Sequence, residues 1–169
     1  MLSIPSIFLS VLLASASPAR RDICSFAGKN ISITNGPFEA GFSSNGGTLV
    51  SQPISTAISE FAVASSGIPG QFELLKATDE ELALADGGLP QMIGINSPVL
   101  WPRTWVINCS SCTTEGSPGN MLIGEGCFIT PPPEFDTRCL NISDAAPVGS
   151  LVTLGDCEAI GNSINIYAA

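Results

Sequence analysis

One short pattern occurs three times, as NGGTLV at 45–50, DGGLPQMI at 86–93 and PVGSLV at 147–152. Each copy places a glycine turn before a short apolar run, which is typical of a hairpin turn leading into a β-strand. Elsewhere helical periodicity is scarce, and Gly, Pro, Ser and Thr separate many short apolar runs. The sequence therefore predicts an all-β fold that contains an internal repeat.

Each copy lies within a similar set of four predicted strands. The opening strands are predicted at 31–34, 72–75 and about 121–129, and the strands before the turns at 38–43, 82–85 and 139–143. Each closing strand carries a large apolar anchor, and the three anchors are Phe61, Trp105 and Ile164 or Ile166. TDEE at 78–81 also has the pattern of a capping box, which offers a short helix as the alternative at that point.

Four strands repeated three times is the plan of a β-trefoil. We predict a single domain, 22–169, with units at about 22–66, 67–113 and 114–169. One unit has an apolar side that it cannot cover alone, whereas three units around a pseudo-threefold axis cover one another. The anchors are therefore expected to meet in one shared core.

The N-terminal 21 residues have the features of a secretory leader. An apolar run from Ile4 to Ala14 is followed by the small residues Ala14-Ser15-Ala16, and the run is too short to span a bilayer. The pair Arg20-Arg21 resembles the cleavage site of a Kex2-type processing protease. We expect a secreted, extracellular protein. If the dibasic pair is cut, the mature chain begins at Asp22; the alternative is that the pair lies in an ordinary charged turn.

The six cysteines all follow this leader and predict a domain held together by disulfides. Three bridges are expected in an oxidising compartment, and sequons at Asn30, Asn108 and Asn141 fit the same route. The spacing of the cysteines leaves their pairing open. Cysteine positions are Cys24, Cys109, Cys112, Cys127, Cys139 and Cys157.

The chain contains no histidine, which limits the chemistry available to it. Ser-His-Asp and Cys-His nucleophilic systems and the usual zinc sites all need imidazole. None of the fifteen acidic residues has a recognisable partner motif for two-carboxylate catalysis. We therefore predict no catalytic residue, no metal site and no cofactor, and we do not expect an enzyme.

The net negative charge of the chain argues against two classes of binding partner. The net charge is −9 over the whole chain, and removal of the two arginines of the dibasic pair leaves four basic residues against fifteen acidic ones. Nucleic acids and anionic membranes carry charge of the same sign and should be repelled. Neither is expected as a partner.

Residues 139–167 resemble one repeat of the ricin B-type β-trefoil lectins. The similarity covers CLNIS, GSLVTLGDC and NSINIY, which correspond to a Cys-Leu-Asp-Val-like strand, a Gly-x-x-Val-x-Leu-x-x-Cys strand and a Gln-x-Trp ending. The resemblance implies that Cys139 pairs with Cys157. Cys24, Cys109, Cys112 and Cys127 then have three pairings open to them.

The same resemblance implies carbohydrate as the ligand. Of the family's sugar-binding positions in this repeat, only Asn162 is kept; Asn141 replaces the acid, Ser163 stands where Gln is expected, and no aromatic ring lies near Leu154. In the second unit Trp101 could stack on a sugar face while Asp86 accepts hydrogen bonds from hydroxyls. The alternative for Trp101 is that it covers one end of the core. A lectin-like carbohydrate-binding module is the leading expectation.

The first two units are also similar to β-trefoil protease inhibitors, which present rigid loops to a protease. Two loops fit this second expectation: 96–104, which carries Arg103 between two tryptophans, and 130–138, which contains Pro132 in a run of three prolines. A rigid loop loses little entropy when it docks. A third alternative is an effector-like secreted protein with a macromolecular partner and an exposed apolar patch.

Overall fold

The computed structural model describes residues 22–43, 47–54, 61–113, 121–158 and 164–169. The predicted leader, the pair Arg20-Arg21 and Asn162 lie outside these ranges. The described strands are β1 (Asp22–Ile23), β2 (Asn30–Asn35), β3 (Phe38–Phe42), β4 (Leu49–Pro53), β5 (Phe61–Ser65), β6 (Gln71–Lys76), β7 (Asp79–Asp86), β8 (Pro90–Gly94), β9 (Thr104–Cys109), β10 (Ser111–Cys112), β11 (Leu122–Thr130), β12 (Cys139–Asn141), β13 (Thr153–Gly155) and β14 (Ile164–Ala168).

The predicted all-β fold is confirmed. The 78–81 segment, for which a short helix was the alternative, begins strand β7 instead. There Asp79 accepts a hydrogen bond from the backbone N–H of Glu81 (3.2 Å), an Asx turn and not a helix cap. Within the described ranges, no helical segment has the length and apolar character needed to cross a membrane.

Six strands close into an antiparallel barrel. The order around the barrel is β2, β5, β6, β9, β11, β14 and back to β2. Every second residue is buried along β9 and β14 and along the first four residues of β5, which is the alternation expected when one face of a strand points into a core. Because the barrel is closed, these six strands leave no free edge at the centre of the fold.

Three two-stranded hairpins connect successive barrel strands. They are β3–β4, β7–β8 and β12–β13. The start of β4 and the residues just before it contact both of the other hairpins: Met92 N–H donates to Gly47 O (2.7 Å) and Val152 N–H donates to Leu49 O (3.0 Å). Backbone hydrogen bonds thus link the β3–β4 hairpin to each of the other two.

The predicted anchors lie in a single core. Phe61, Trp105, Ile164 and Ile166 are fully buried and belong to one continuous apolar cluster. The indole Nε1–H of Trp105 donates to the carbonyl of Leu84 at 3.0 Å, so a barrel strand is tied to hairpin strand β7 inside the core. Burial of each large apolar side chain stabilises the fold by about 2 kcal/mol.

All six cysteines form disulfides. Cys139 is bonded to Cys157, the pair that the lectin resemblance implies. The remaining bridges join Cys24 to Cys112 and Cys109 to Cys127. The first of these attaches the start of the described chain to β10, and the second connects neighbouring barrel strands β9 and β11.

Gly124 on β11 has no room for a side chain. A Cβ at this position would lie 2.9 Å from Cys127 Sγ, 3.0 Å from Cys109 Sγ and 3.1 Å from a ring carbon of Phe26. We expect Gly124→Ala to lower the free energy of unfolding by about 1–3 kcal/mol, because overpacking displaces a buried disulfide. Gly94→Ala is the matched control, since its Cβ would meet nothing within 4 Å. Urea unfolding measures both, and equal stabilities would contradict the packing described.

Candidate functional site

The segment that connects β8 to β9 is held at several points along its length. Ile95 N–H donates to Glu81 O (2.8 Å), and Ser97 N–H donates to Gly94 O (2.9 Å). Arg103 donates through Nη1 to the carbonyl of Ile95, and so joins the two ends of the segment. Its side chain therefore fixes this loop in place.

The same loop places Trp101 against the β7–β8 turn. Asp86 N–H donates to Pro102 O at 2.9 Å, which anchors the residue after Trp101 beside the turn. A Cβ on Gly87 would lie 2.8 Å from Cε3 and Cζ3 of the Trp101 ring and 2.9 Å from Nε2 of Gln91. The indole and the Gln91 amide thus both lie beside Gly87, which has no side chain to displace them.

We call Asp86, Gly87, Gln91 and Trp101 the Trp101 cluster. Trp101 is 36% exposed, so part of its ring packs on the turn while the rest faces solvent. The carboxylate of Asp86 accepts the N–H of Gly88 at 2.9 Å, which supports a turn where Gly88 has a φ of 91°. The cluster offers a flat apolar ring beside an amide and a carboxylate. The amide can donate and accept hydrogen bonds, whereas the carboxylate can only accept them.

The loop before β12 carries an ion pair. Arg138 forms an ion pair with Asp136, with Nε 2.9 Å from Oδ2, and this hydrogen bond raises the pKa of Arg138 above its usual value, with a further contribution from Asp86. The hydrogen bond from Arg138 likewise lowers the pKa of Asp136. Within this ion pair the positive charge of Arg138 is compensated by the carboxylate of Asp136.

The ion pair predicts a small pH dependence of stability. Since the folded pKa of Asp136 is lowered, its contribution is present above the ordinary pKa of about 3.9 and is lost as the pH falls through the folded value. Arg138 is about half exposed, so we expect Asp136→Asn to cost only about 0.5 kcal/mol at pH 7. Urea unfolding of both proteins at pH 7 and pH 2 measures this. A difference that grows in acid would contradict the assignment.

The other predicted site residues do not join the cluster. Pro132 is buried, and its carbonyl accepts the N–H of Phe135 at 2.8 Å, so the proline shapes a turn while Phe135 is 63% exposed. Among the sequons, Asn30 is exposed, whereas Asn108 and Asn141 are half-buried. Phe135 is therefore a large apolar side chain of the 130–138 loop that is available to a partner.

Sequence reasoning identified Trp101 and Asp86 but missed Gln91. Gln91 belongs to the repeated hairpin pattern, where it is one polar residue within a strand. Its position beside Trp101 depends on the course of the 95–103 loop, which carries the ring back to the turn. No local signal in the sequence indicates that contact.

One group of sulfur atoms has the spacing of a metal site. Sγ atoms of Cys24, Cys109 and Cys112 lie within 4.8 Å of one another. Each belongs to a disulfide, and a metal-binding cysteine must be a thiolate. These three sulfur atoms therefore belong to two adjacent disulfide bridges.

Comparison with known proteins adds no family to these observations. No protein-family model, no curated protein and no solved structure matches the chain. The inference of function therefore rests on the residues and geometry described above.

Proposed function

We propose that this chain is a secreted, non-enzymatic β-trefoil protein that binds glycans through the Trp101 cluster. The trefoil assignment is supported by the chain order of the barrel strands and by the hairpins inserted after β2, β6 and β11. Three disulfides agree with an extracellular location. An acidic chain with a net charge of −9 favours neutral partners over nucleic acids or anionic membranes.

The observation that carries the glycan proposal is the placement of both Trp101 and Gln91 beside Gly87. Sugars present an apolar C–H face and a rim of hydroxyls, so their sites combine a stacking ring with a few placed polar groups. Trp101 supplies the ring, Gln91 an amide and Asp86 a carboxylate. The backbone hydrogen bond between Asp86 and Pro102 holds the ring in place before binding, which reduces the entropy lost on docking.

The test is a glycan array probed with the mature protein, made without N-glycans, beside three variants. Wild type is expected to bind, and Trp101→Ala is expected to lose at least tenfold in affinity because the stacking surface is gone. Gly87→Ala should lose a similar amount, since its Cβ would displace the ring. Leu100→Ala is the matched control, because Leu100 is 96% exposed on the same loop. Wild type that binds nothing on the array would end the proposal.

The exposed turn at Phe135 favours protease inhibition as a second candidate function. Phe135 projects from a loop that is stiffened by buried Pro131 and Pro132 and by the ion pair between Asp136 and Arg138. A rigid loop with one exposed aromatic residue suits a protease with an apolar specificity pocket. Inhibition of chymotrypsin at micromolar protein, lost in Phe135→Ala and kept in Leu100→Ala, would support it. Absence of inhibition across serine and cysteine proteases would dismiss it.

A further inference from the structure

A row of residues crosses the outer surface of the barrel on three neighbouring strands. Asn30 on β2 lies opposite Ala62 on β5, and Ala62 lies opposite Leu75 on β6. The next residue along β2, Ile31, is fully buried, as is Leu74 on β6, so the row occupies the alternate, outward positions. Its first member, Asn30, is exposed.

All three residues of this row line a cleft. The cleft has a volume of about 300 Å³ and is also lined by Lys29, Ala64 and Glu80. Ala62 and Ala64 are two residues apart and share the outward face, and their small side chains leave the hollow. The lining therefore combines two alanine methyl groups with a cation and a carboxylate.

We propose that this cleft seats the first N-acetylglucosamine of a glycan attached to Asn30. Asn30 begins the sequon Asn30-Ile31-Ser32 and itself lines the cleft, so a sugar on its Nδ2 starts at the opening. The apolar face of the sugar packs on the alanine methyls, while Lys29 and Glu80 hydrogen-bond its N-acetyl and hydroxyl groups. Covalent attachment makes this contact intramolecular, so weak individual interactions suffice.

Attachment precedes folding. In the transfer, Nδ2 of Asn30 forms a bond to C1 of the sugar and loses a proton, and the lipid-linked diphosphate of the donor departs. The transferring enzyme reads the sequon hydroxyl, which belongs to Ser32. That residue is buried in the folded protein, and its hydroxyl donates to Glu39 at 2.9 Å. The sugar is therefore present when the barrel closes, and the cleft forms against it.

The inference is independent of the Trp101 cluster and depends only on passage through the secretory route. Its test uses the mature protein carrying Asn108→Gln and Asn141→Gln, expressed in a eukaryotic secretory host, so that Asn30 is the only sequon. Endoglycosidase trimming leaves one N-acetylglucosamine on Asn30, and mass spectrometry verifies it. Thermal unfolding then compares this form with the same protein bearing Asn30→Gln.

The trimmed form is expected to melt about 3 °C higher than the Asn30→Gln form. Ala62→Leu fills the cleft on its solvent side, and in that background the difference is expected to vanish. Ala64→Leu repeats the test at a second position if Ala62→Leu does not fold. An unmodified Asn30, or an equal difference in the filled and unfilled proteins, would overturn the proposal. Glycan-array binding through Trp101 should be the same in all these forms. A negative result for the Asn30 cleft would therefore leave the proposal for the Trp101 cluster unaffected.

Discussion

Replacement of Trp105 by alanine is expected to lower the free energy of unfolding by about 3–5 kcal/mol. Trp105 is fully buried in the shared core, and its Nε1–H donates to Leu84 O at 3.0 Å. The substitution removes the largest of the fully buried side chains and leaves a cavity between the barrel and the β7–β8 hairpin. It also withdraws a donor from a buried carbonyl.

Two further variants separate the causes of this loss. Trp105→Phe keeps an aromatic ring but removes the donor, and a loss of about 1–3 kcal/mol is expected from the broken hydrogen bond. Trp101→Ala is the matched control, since this residue is 36% exposed and its truncation should cost clearly less than that of fully buried Trp105. Guanidinium unfolding followed by far-UV circular dichroism gives all three values. A Trp105→Ala protein as stable as Trp101→Ala would show that Trp105 is not the core anchor.

Removal of the Cys24–Cys112 bridge is expected to cost the most of the three disulfides. Its cysteines are 88 residues apart in sequence, whereas each of the other two pairs is separated by 18. The chain-entropy relation gives about 4.5 kcal/mol for the long loop and about 3 kcal/mol for a short one. Loss of this bridge also releases the N-terminal end of the described chain from β10.

The two short bridges are matched in loop length and differ in burial. Both sulfur-bearing residues of the Cys109–Cys127 pair are fully buried, whereas Cys157 is partly exposed. Alanine pairs at all three bridges should therefore destabilise in the order Cys24–Cys112, then Cys109–Cys127, then Cys139–Cys157. Urea unfolding under oxidising conditions measures the order. If the Cys24–Cys112 variant proved the least affected, loop closure would not be what this bridge contributes.

Much of the strand plan could be predicted because its signals are local. Glycine turns and period-two apolar residues indicated strands around Phe61, Trp105 and Ile164, and each of these residues lies in a strand and in the core. The 78–81 segment is ambiguous in sequence, because Thr78 and Glu81 have the spacing of a capping box while Asp79 also suits an Asx turn. Pairing of the following residues, such as Leu84 with Met92, decides in favour of the strand.

The candidate binding sites could be predicted only in part, because the conformations of loops bring their residues together. Trp101 was recognisable as an aromatic beside a proline, but its packing on Gly87 and its approach to Gln91 follow from the anchored 95–103 loop. Burial of Pro132 likewise depends on the turn that carries Phe135. Cysteine spacing alone allowed three pairings for the four cysteines outside the Cys139–Cys157 pair. Only the tertiary arrangement distinguishes them.

The most direct test of the glycan proposal is fluorine NMR of protein labelled with 5-fluorotryptophan. The chain contains two tryptophans, one fully buried and one partly exposed, so two signals are expected. Trp101→Phe identifies the exposed one, which should also show the larger solvent isotope shift. On titration with the strongest glycan from the array, the Trp101 signal is predicted to move while the Trp105 signal stays in place. A bound glycan that leaves the Trp101 signal unchanged would contradict the account.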